Sequence, residues 1–152
     1  MSLAGKLVSE IEINVAAEKY YKVFKDQPFN VPNISPKLVQ QVELDEGDWD
    51  NHGHGSVKTW KYTVDGKPEV FKEKAEFDDE KFTIIMNGLQ GDVFEHYKTF
   101  KIIYQAVPKG PEHSLVVLSV EYEKLDDEIP YPYKYLHAMA CVTKDIEPYL
   151  KK

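Results

Sequence analysis

Residues 56–77 read SVKTWKYTVDGKPEVFKEKAEF and predict a β-hairpin. In the first half, large side chains such as Trp60 alternate with polar ones, which is typical of a strand with two different faces. Asp65 and Gly66 give a strong turn signal, because both tolerate the positive φ angles that a two-residue hairpin turn needs. Residues 69–77 predict the partner strand, but their alternation does not fix which side chains face inward.

Similar alternation on both sides of this hairpin predicts a sheet of seven strands. The last six strands follow one another with short turns between them, so they are expected to pair antiparallel. The other five predicted strands cover residues 6–13, 41–45, 81–87, 94–107 and 116–123.

Two short helices are predicted between the first two strands, and one long helix ends the chain. The first short helix covers residues 16–24, and the second starts at Ser35, a capping residue followed by a proline. Residues 131–150 predict the long helix, whose apolar stripe consists of Tyr135, Met139, Val142, Ile146 and Leu150. The sheet must wrap around that helix to bury the stripe, and one helix does not fill the enclosed space. We therefore expect an α+β fold with an internal hydrophobic cavity.

The composition excludes several function classes. The 152 residues fit one domain, expected to span residues 1–152. The 19 basic and 26 acidic residues give a net charge of −7, which argues against nucleic acid or an anionic membrane as a partner. The single cysteine, Cys141, cannot form an intramolecular disulfide. The first residues lack the apolar run of a signal peptide, so a cytoplasmic location is expected.

Several segments resemble the plant major latex proteins. Residues 47–60, GDWDNHGHGSVKTW, resemble the glycine-rich loop signature of that family, and residues 120–125, VEYEKL, resemble its last strand. The GKL of residues 5–7, the GD of residues 91–92 and the YKTFK of residues 97–101 also match. The resemblance runs in order over essentially the whole chain. It places the chain with the Bet v 1 superfamily, which includes the pathogenesis-related class 10 proteins and plant hormone receptors.

The resemblance implies a helix-grip (Bet v 1/START-like) fold, in which seven antiparallel strands surround a long C-terminal helix and two short helices form a V. It also implies that the cavity binds a small hydrophobic or amphipathic metabolite, as a defence- or stress-related carrier or sensor. The alternative is an enzyme of specialised metabolism that cyclises or isomerises a reactive terpenoid-like compound, such as an iridoid enol. We expect no cofactor, no nucleic-acid or membrane partner, and a monomer or weak dimer.

The predicted cavity wall consists of large inward-facing residues of the strands and the terminal helix. A packed core would use the same residue types, but seven strands around one helix leave space that side chains do not fill. A mostly apolar wall with few polar groups suits a hydrophobic ligand held by one or two hydrogen bonds. The candidates for ligand contact are Trp60, Tyr62, Phe82, Ile84, Met86, Val116, Leu118, Tyr131, Tyr135, Ala138, Met139 and Val142.

If the protein is an enzyme, Tyr62, Lys58 and His96 are the candidate catalytic residues. Lys58 shares a strand face with Tyr62, so it lies either at the cavity rim with its ammonium in water or inside the protein. Inside, burial would lower its pKa, and it could act as a base or form a Schiff base with a carbonyl. The pattern leaves the orientation of Glu73 and His96 open, and whichever faces inward becomes a candidate general acid or base.

Two further groups of residues carry weaker hypotheses. His52 and His54 lie near aspartates in the glycine-rich loop, but a strong zinc site needs three or four convergent ligands, so no metal site is predicted. Some pathogenesis-related class 10 proteins cut RNA, and the resemblance would assign that activity here to Glu95, Glu147 and Tyr149. The net charge of −7 makes RNA an unfavourable partner for this chain.

Overall fold

The computed structural model describes residues 3–45 and 55–152. Among these residues the chain forms one sheet of seven strands and three α-helices. The strands are β1 (Ala4–Ile13), β2 (Val39–Leu44), β3 (Val57–Val64), β4 (Lys67–Asp78), β5 (Thr83–Gly91), β6 (Tyr97–Gly110) and β7 (His113–Lys124). The helices are α1 (Ala17–Asp26), α2 (Val31–Ile34) and α3 (Tyr133–Leu150).

The strand order in the sheet is β1-β7-β6-β5-β4-β3-β2, and every neighbouring pair is antiparallel. The first strand pairs with the last along its whole length, from Ala4 opposite Glu123 to Ile13 opposite Ser114. Helix α3 contacts β1 and β7 at one end of this order and β3 near the other. The sheet therefore curves around α3, and the predicted helix-grip α+β fold is confirmed.

The β3–β4 hairpin forms as residues 56–77 predict. Its turn residues Asp65 and Gly66 have φ angles of 54° and 77°, which is the backbone that this two-residue turn requires. The pairing runs from Val64 opposite Lys67 at the turn to Val57 opposite Lys74 at the far end. Counting outward from the turn therefore identifies the side chains that share one face of the hairpin.

The predicted start of the second short helix at Ser35 is wrong. The proline that begins α2 is Pro32, in its first turn, and Ser35 lies at the end of the helix, where its N–H donates to the Val31 carbonyl at 2.8 Å. The Ser35 hydroxyl does not cap a helix of its own but donates to Asp145 on α3 at 2.6 Å. Ser35 thus ties α2 to the long helix.

The region around β5 and β6 also differs from the prediction. Strand β5 continues through Gly88 to Gly91, and a 3-10 turn over residues 92–95 precedes β6. Gly91 has a φ of 139°, and a Cβ there would lie 2.2 Å from the Val70 carbonyl oxygen. Only glycine fits this close crossing, so Gly91 ends the strand and redirects the chain.

Helix α3 begins at Tyr133, two residues later than predicted, because Pro132 occupies its N-cap position. It continues through Pro148 to Leu150. Four members of its predicted apolar stripe are buried, namely Tyr135, Met139, Val142 and Ile146. No helix in residues 3–45 and 55–152 is long and apolar enough to cross a membrane.

Candidate functional site

A cavity of about 80 Å³ lies between α3 and the inner face of the sheet. Helices α1 and α2 contribute to its wall, together with five strands and the segment that follows α2. Its lining residues are Phe24, Val31, Leu38, Val39, Trp60, Tyr62, Thr63, Phe71, Met86, Ile102, Tyr104, Tyr135, Ala138, Met139 and Val142. Most of these side chains are aliphatic or aromatic, so the cavity suits an apolar molecule.

The inner face of the β3–β4 hairpin carries three cross-strand pairs in succession. Counting from the turn, Tyr62 lies opposite Glu69, Trp60 opposite Phe71, and Lys58 opposite Glu73. The middle pair lines the cavity, and a buried carboxyl stands on each side of it. The sequence pattern did not single out Glu69, although counting pairs outward from the turn places it opposite Tyr62.

Two cavity-lining tyrosines hold the carboxyl of Glu69. Tyr135 donates to Glu69 Oε1 at 2.7 Å, and Tyr62 donates to the same oxygen at 3.0 Å. The ammonium of Lys134 lies 4.0 Å from the other oxygen, Oε2. Burial, followed for both phenols by the nearby charge and hydrogen bond of Glu69, raises the pKa of Tyr62 and of Tyr135 above the ordinary value. Both phenols therefore stay protonated at neutral pH and act as donors.

The second buried carboxyl, Glu73, has no comparable partners. Its side chain is 1% exposed, and neither carboxyl oxygen makes a hydrogen bond. The ammonium of Lys58, itself 2% exposed, lies 4.0 Å from Glu73 Oε1 and donates instead to Ser56 Oγ at 2.6 Å. It also lies 5.4 Å from the ring centre of Phe77. A charged pair thus sits inside the protein in loose contact.

Burial raises the pKa of Glu73 to about 7, and the neighbouring charge of Lys58 limits that rise. The indole N–H of Trp60 also favours the charged form of Glu73, although it does not reach hydrogen-bond geometry. Burial lowers the pKa of Lys58, and the charge of Glu73 opposes this change. The carboxyl of Glu73 can therefore gain or lose a proton near neutral pH, as a general acid or base must.

The structure brings seven of the predicted ligand-contact residues to the cavity and leaves five away from its wall. The seven are Trp60, Tyr62, Met86, Tyr135, Ala138, Met139 and Val142. Ile84, Val116 and Leu118 are fully buried elsewhere in the core, Phe82 is half-buried beside Tyr21, and Tyr131 is 57% exposed ahead of α3.

The position of α1 partly explains why some of the predicted contact residues lie away from the cavity. Helix α1 contacts β5, β6 and β7, and its Phe24 stacks on Tyr104 with 4.5 Å between the ring centres. Tyr20, also on α1, donates to or accepts from the Thr143 hydroxyl on α3 at 2.7 Å. One end of the space under the sheet is therefore filled by aromatic side chains. A sequence pattern cannot indicate which end a preceding helix will fill.

The four candidate proton-transfer residues have different surroundings. Tyr62 lines the cavity, and Lys58 is buried beside Glu73 rather than at a rim. Glu73 faces inward, and His96 is exposed at the end of the 3-10 turn that precedes β6. The structure thus brings Lys58 together with Glu73, and it leaves His96 apart from them.

The residues connected with RNA cleavage have separate structural partners. Glu147 accepts a hydrogen bond from the backbone N–H of Asn14 at 2.5 Å. The hydroxyl of Tyr149 bonds with Gln27 at 3.2 Å and with Asn30 at 2.9 Å. Glu95 is exposed. These contacts tie the end of α3 to the segments before and after α1.

No group of three or more His, Cys, Asp or Glu residues that could hold a metal ion occurs in the described part of the chain. His52 and His54, with the aspartates of their loop, lie outside the described residues.

Comparison with known proteins gives one family over nearly the whole chain. The model of the pathogenesis-related protein Bet v 1 family matches residues 2–152. The chain is 34% identical over 152 residues to MLP-like protein 328 of Arabidopsis thaliana, and the match covers 100% of this chain and 99% of the relative.

Solved structures agree with this family assignment. A crystal structure of ginseng major latex-like protein 151 from Panax ginseng superposes with a TM-score of 0.90 and 33% identity, covering 97% of both chains. Norcoclaurine synthase from Thalictrum flavum, in complex with dopamine and hydroxybenzaldehyde, gives a TM-score of 0.71 at 19% identity and covers 95% of this chain and 87% of its own. At 19% identity, the likeness to norcoclaurine synthase is one of fold alone.

Proposed function

The chain belongs to the pathogenesis-related protein Bet v 1 family, and from this we propose that it binds a small hydrophobic metabolite in the cavity beneath α3, as a cytoplasmic carrier or sensor. The observation that supports the proposal is the cavity itself, in which Thr63 and three tyrosines supply the hydroxyl groups of an otherwise largely apolar wall. Two of those tyrosine hydroxyls already donate to Glu69. Most of the binding free energy would therefore come from burial of apolar surface.

The size of the cavity limits the ligand. Pockets for drug-sized ligands usually enclose about 300–1,000 Å³, whereas this cavity measures about 80 Å³. A compact molecule with a single ring fits such a space best. A larger ligand, a ten-carbon ring compound included, would have to displace wall side chains, and the unbranched Met86 and Met139 are the most adaptable of them.

The test uses p-menthane, a saturated single-ring hydrocarbon, observed by saturation-transfer NMR. We expect wild-type protein to bind it and Ala138→Phe to lose the signal, because the new ring would occupy the cavity. Ala140→Phe is the matched control, since Ala140 lies on the same helix but does not line the cavity. Equal signals from both variants, each shown to be folded by its thermal transition, would contradict binding at this site.

A cofactor-independent isomerase or cyclase is the second candidate function. It is supported by the buried Lys58–Glu73 pair, whose carboxyl has its pKa raised to about 7 by burial. The protein would be incubated with a plant metabolite extract and the products compared by mass spectrometry. Turnover lost in Glu73→Gln but kept in Glu76→Gln, a variant of the half-buried neighbour on the same strand, would support an enzyme. A metabolite retained without change would support the carrier or sensor.

A further inference from the structure

Three polar side-chain atoms in the described part of the chain are buried without any hydrogen-bond partner. They are Nε1 of Trp60 and the two carboxyl oxygens of Glu73. Buried polar atoms in folded proteins almost always have partners, and each missing bond is costly. That all three belong to two side chains on the same face of one hairpin indicates one shared polar site rather than scattered defects.

The site adjoins the apolar cavity. The ring of Trp60 lines the cavity, and its cross-strand partner Phe71 does the same. Lys58 and Glu73 form the next pair along the same face and do not line the cavity. Trp60 is therefore the residue that connects the cavity wall with the charged pair.

The identity of these atoms selects the ligand group. Trp60 Nε1 is only a donor, and the ionised carboxyl of Glu73 is only an acceptor. A hydroxyl group satisfies both, because it accepts from the indole N–H and donates to the carboxylate. A carbonyl oxygen could accept from Trp60 but would leave Glu73 without a donor, and a hydrocarbon would satisfy neither.

We propose that Trp60 and Glu73, with Lys58 as the neighbouring cation, form a hydroxyl-binding subsite at one end of the cavity, so that the preferred ligand is a compact alcohol. The proposal rests on the proposed binding function and names its ligand class. The apolar ring of the alcohol lies in the cavity, and its hydroxyl reaches past Trp60 toward Glu73. Lys58, held by Ser56, supplies the positive charge that favours the ionised carboxyl, which is the accepting form present at pH 8.

Three probes with one carbon skeleton test the subsite, namely menthol, menthone and p-menthane. They differ only in carrying a hydroxyl, a carbonyl or neither. Dissociation constants would be measured by isothermal titration calorimetry at pH 8, with p-menthane measured by displacement. We expect wild-type protein to bind menthol about tenfold more tightly than either of the others, which corresponds to a hydrogen bond with a charged group.

Two variants assign that preference to the subsite. Trp60→Phe keeps an aromatic ring but removes the donor, and the double variant Lys58→Met with Glu73→Leu removes the charged pair without leaving one charge alone. Both should reduce the preference for menthol to less than twofold while p-menthane still binds. Glu76→Gln, on the same strand but away from the subsite, should keep the full preference.

The outcomes separate this proposal from the proposed function. Equal affinity of wild-type protein for menthol and p-menthane would overturn the subsite while leaving the proposal of an apolar binding cavity intact. Menthone binding as tightly as menthol would overturn the choice of a hydroxyl. A preference lost in Glu69→Gln, but not in the two subsite variants, would place the hydroxyl at the opposite end. Failure of all three probes to bind would contradict both proposals.

Discussion

Glu69 and Glu73 lie on the same face of one strand, four residues apart, and are equally hidden from solvent. Glu69 is 4% exposed and Glu73 is 1% exposed. Glu69 accepts two phenol hydrogen bonds, whereas Glu73 accepts none. The comparison shows that burial alone does not define the chemistry of a carboxyl. The number of donors around it decides whether it is a fixed structural element or a group that a ligand can still engage.

The largest expected effect comes from removing the cation beside Glu73. In a Lys58→Met variant Glu73 loses the charge that limits the rise of its pKa, so at pH 8 it must either remain a buried charge without a counter-charge or take up a proton to fold. We expect unfolding in urea to show a loss of about 3–5 kcal/mol.

The control is the double variant Lys58→Met with Glu73→Leu. Replacing both charges by apolar groups should bring stability back to the wild-type value or above it, because no charge then remains to be desolvated. A single variant as stable as wild type at pH 8 would show that Glu73 does not depend on Lys58.

The pH dependence of stability gives the next largest effect. Native Glu73 keeps its proton up to about pH 7, whereas an unfolded glutamate releases it near pH 4.3. Between these values the native state binds more protons than the unfolded state, so its stability falls as the pH rises. The loss, about 4 kcal/mol, is complete above pH 7 and absent below about pH 4.

This loss would be measured as the difference in unfolding free energy between wild type and Glu73→Gln at a series of pH values. The glutamine does not titrate, so the other acidic groups cancel in the difference. A difference that stays constant from pH 4 to pH 8 would contradict the raised pKa of Glu73.

Removing donors from Glu69 should cost less. Tyr135→Phe removes the shorter hydrogen bond, 2.7 Å long, and leaves a buried acceptor with one phenol donor. We expect a loss of about 2 kcal/mol in chemical unfolding, and a smaller loss for Tyr62→Phe, whose hydrogen bond is 3.0 Å long. Repeating both changes in a Glu69→Gln background should reduce the losses, since the charged acceptor is then absent. Undiminished losses would mean that the phenols act through packing.

Much of this comparison follows from the sequence, because the turn fixes the register. Once Asp65 and Gly66 form a two-residue turn, counting outward pairs Tyr62 with Glu69 and Lys58 with Glu73. Inward orientation then follows from the strand period of two. The alternation of residues 69–77 alone did not show this, since charged residues occupy both faces of β4.

Other features depended on contacts between distant segments and could not be read locally. Ser35 and the proline after it look like a helix start, but Ser35 bonds to Asp145, 110 residues away. The donors that reach Glu69 include Tyr135 on α3, whose approach depends on how the sheet curves. The missing partners of Glu73 are likewise a property of the assembled interior. Local patterns predict faces and turns, whereas hydrogen-bond satisfaction needs the whole fold.

The smallest effect is expected for Lys134→Met. This change tests how exposure to solvent alters the contribution of an ion pair to stability. Lys134 lies 4.0 Å from Glu69, the same distance that separates Lys58 from Glu73. Lys134 is 44% exposed, however, and Glu69 already has two phenol donors. Water screens this pair and replaces the lost ammonium, so urea unfolding should show a change below about 1 kcal/mol. Replacing a lysine by methionine 4.0 Å from the carboxyl would then cost several-fold more stability beside Glu73 than beside Glu69. Equal costs for Lys134→Met and Lys58→Met would mean that the environments of Glu69 and Glu73 do not differ in the way their burial and hydrogen bonds indicate.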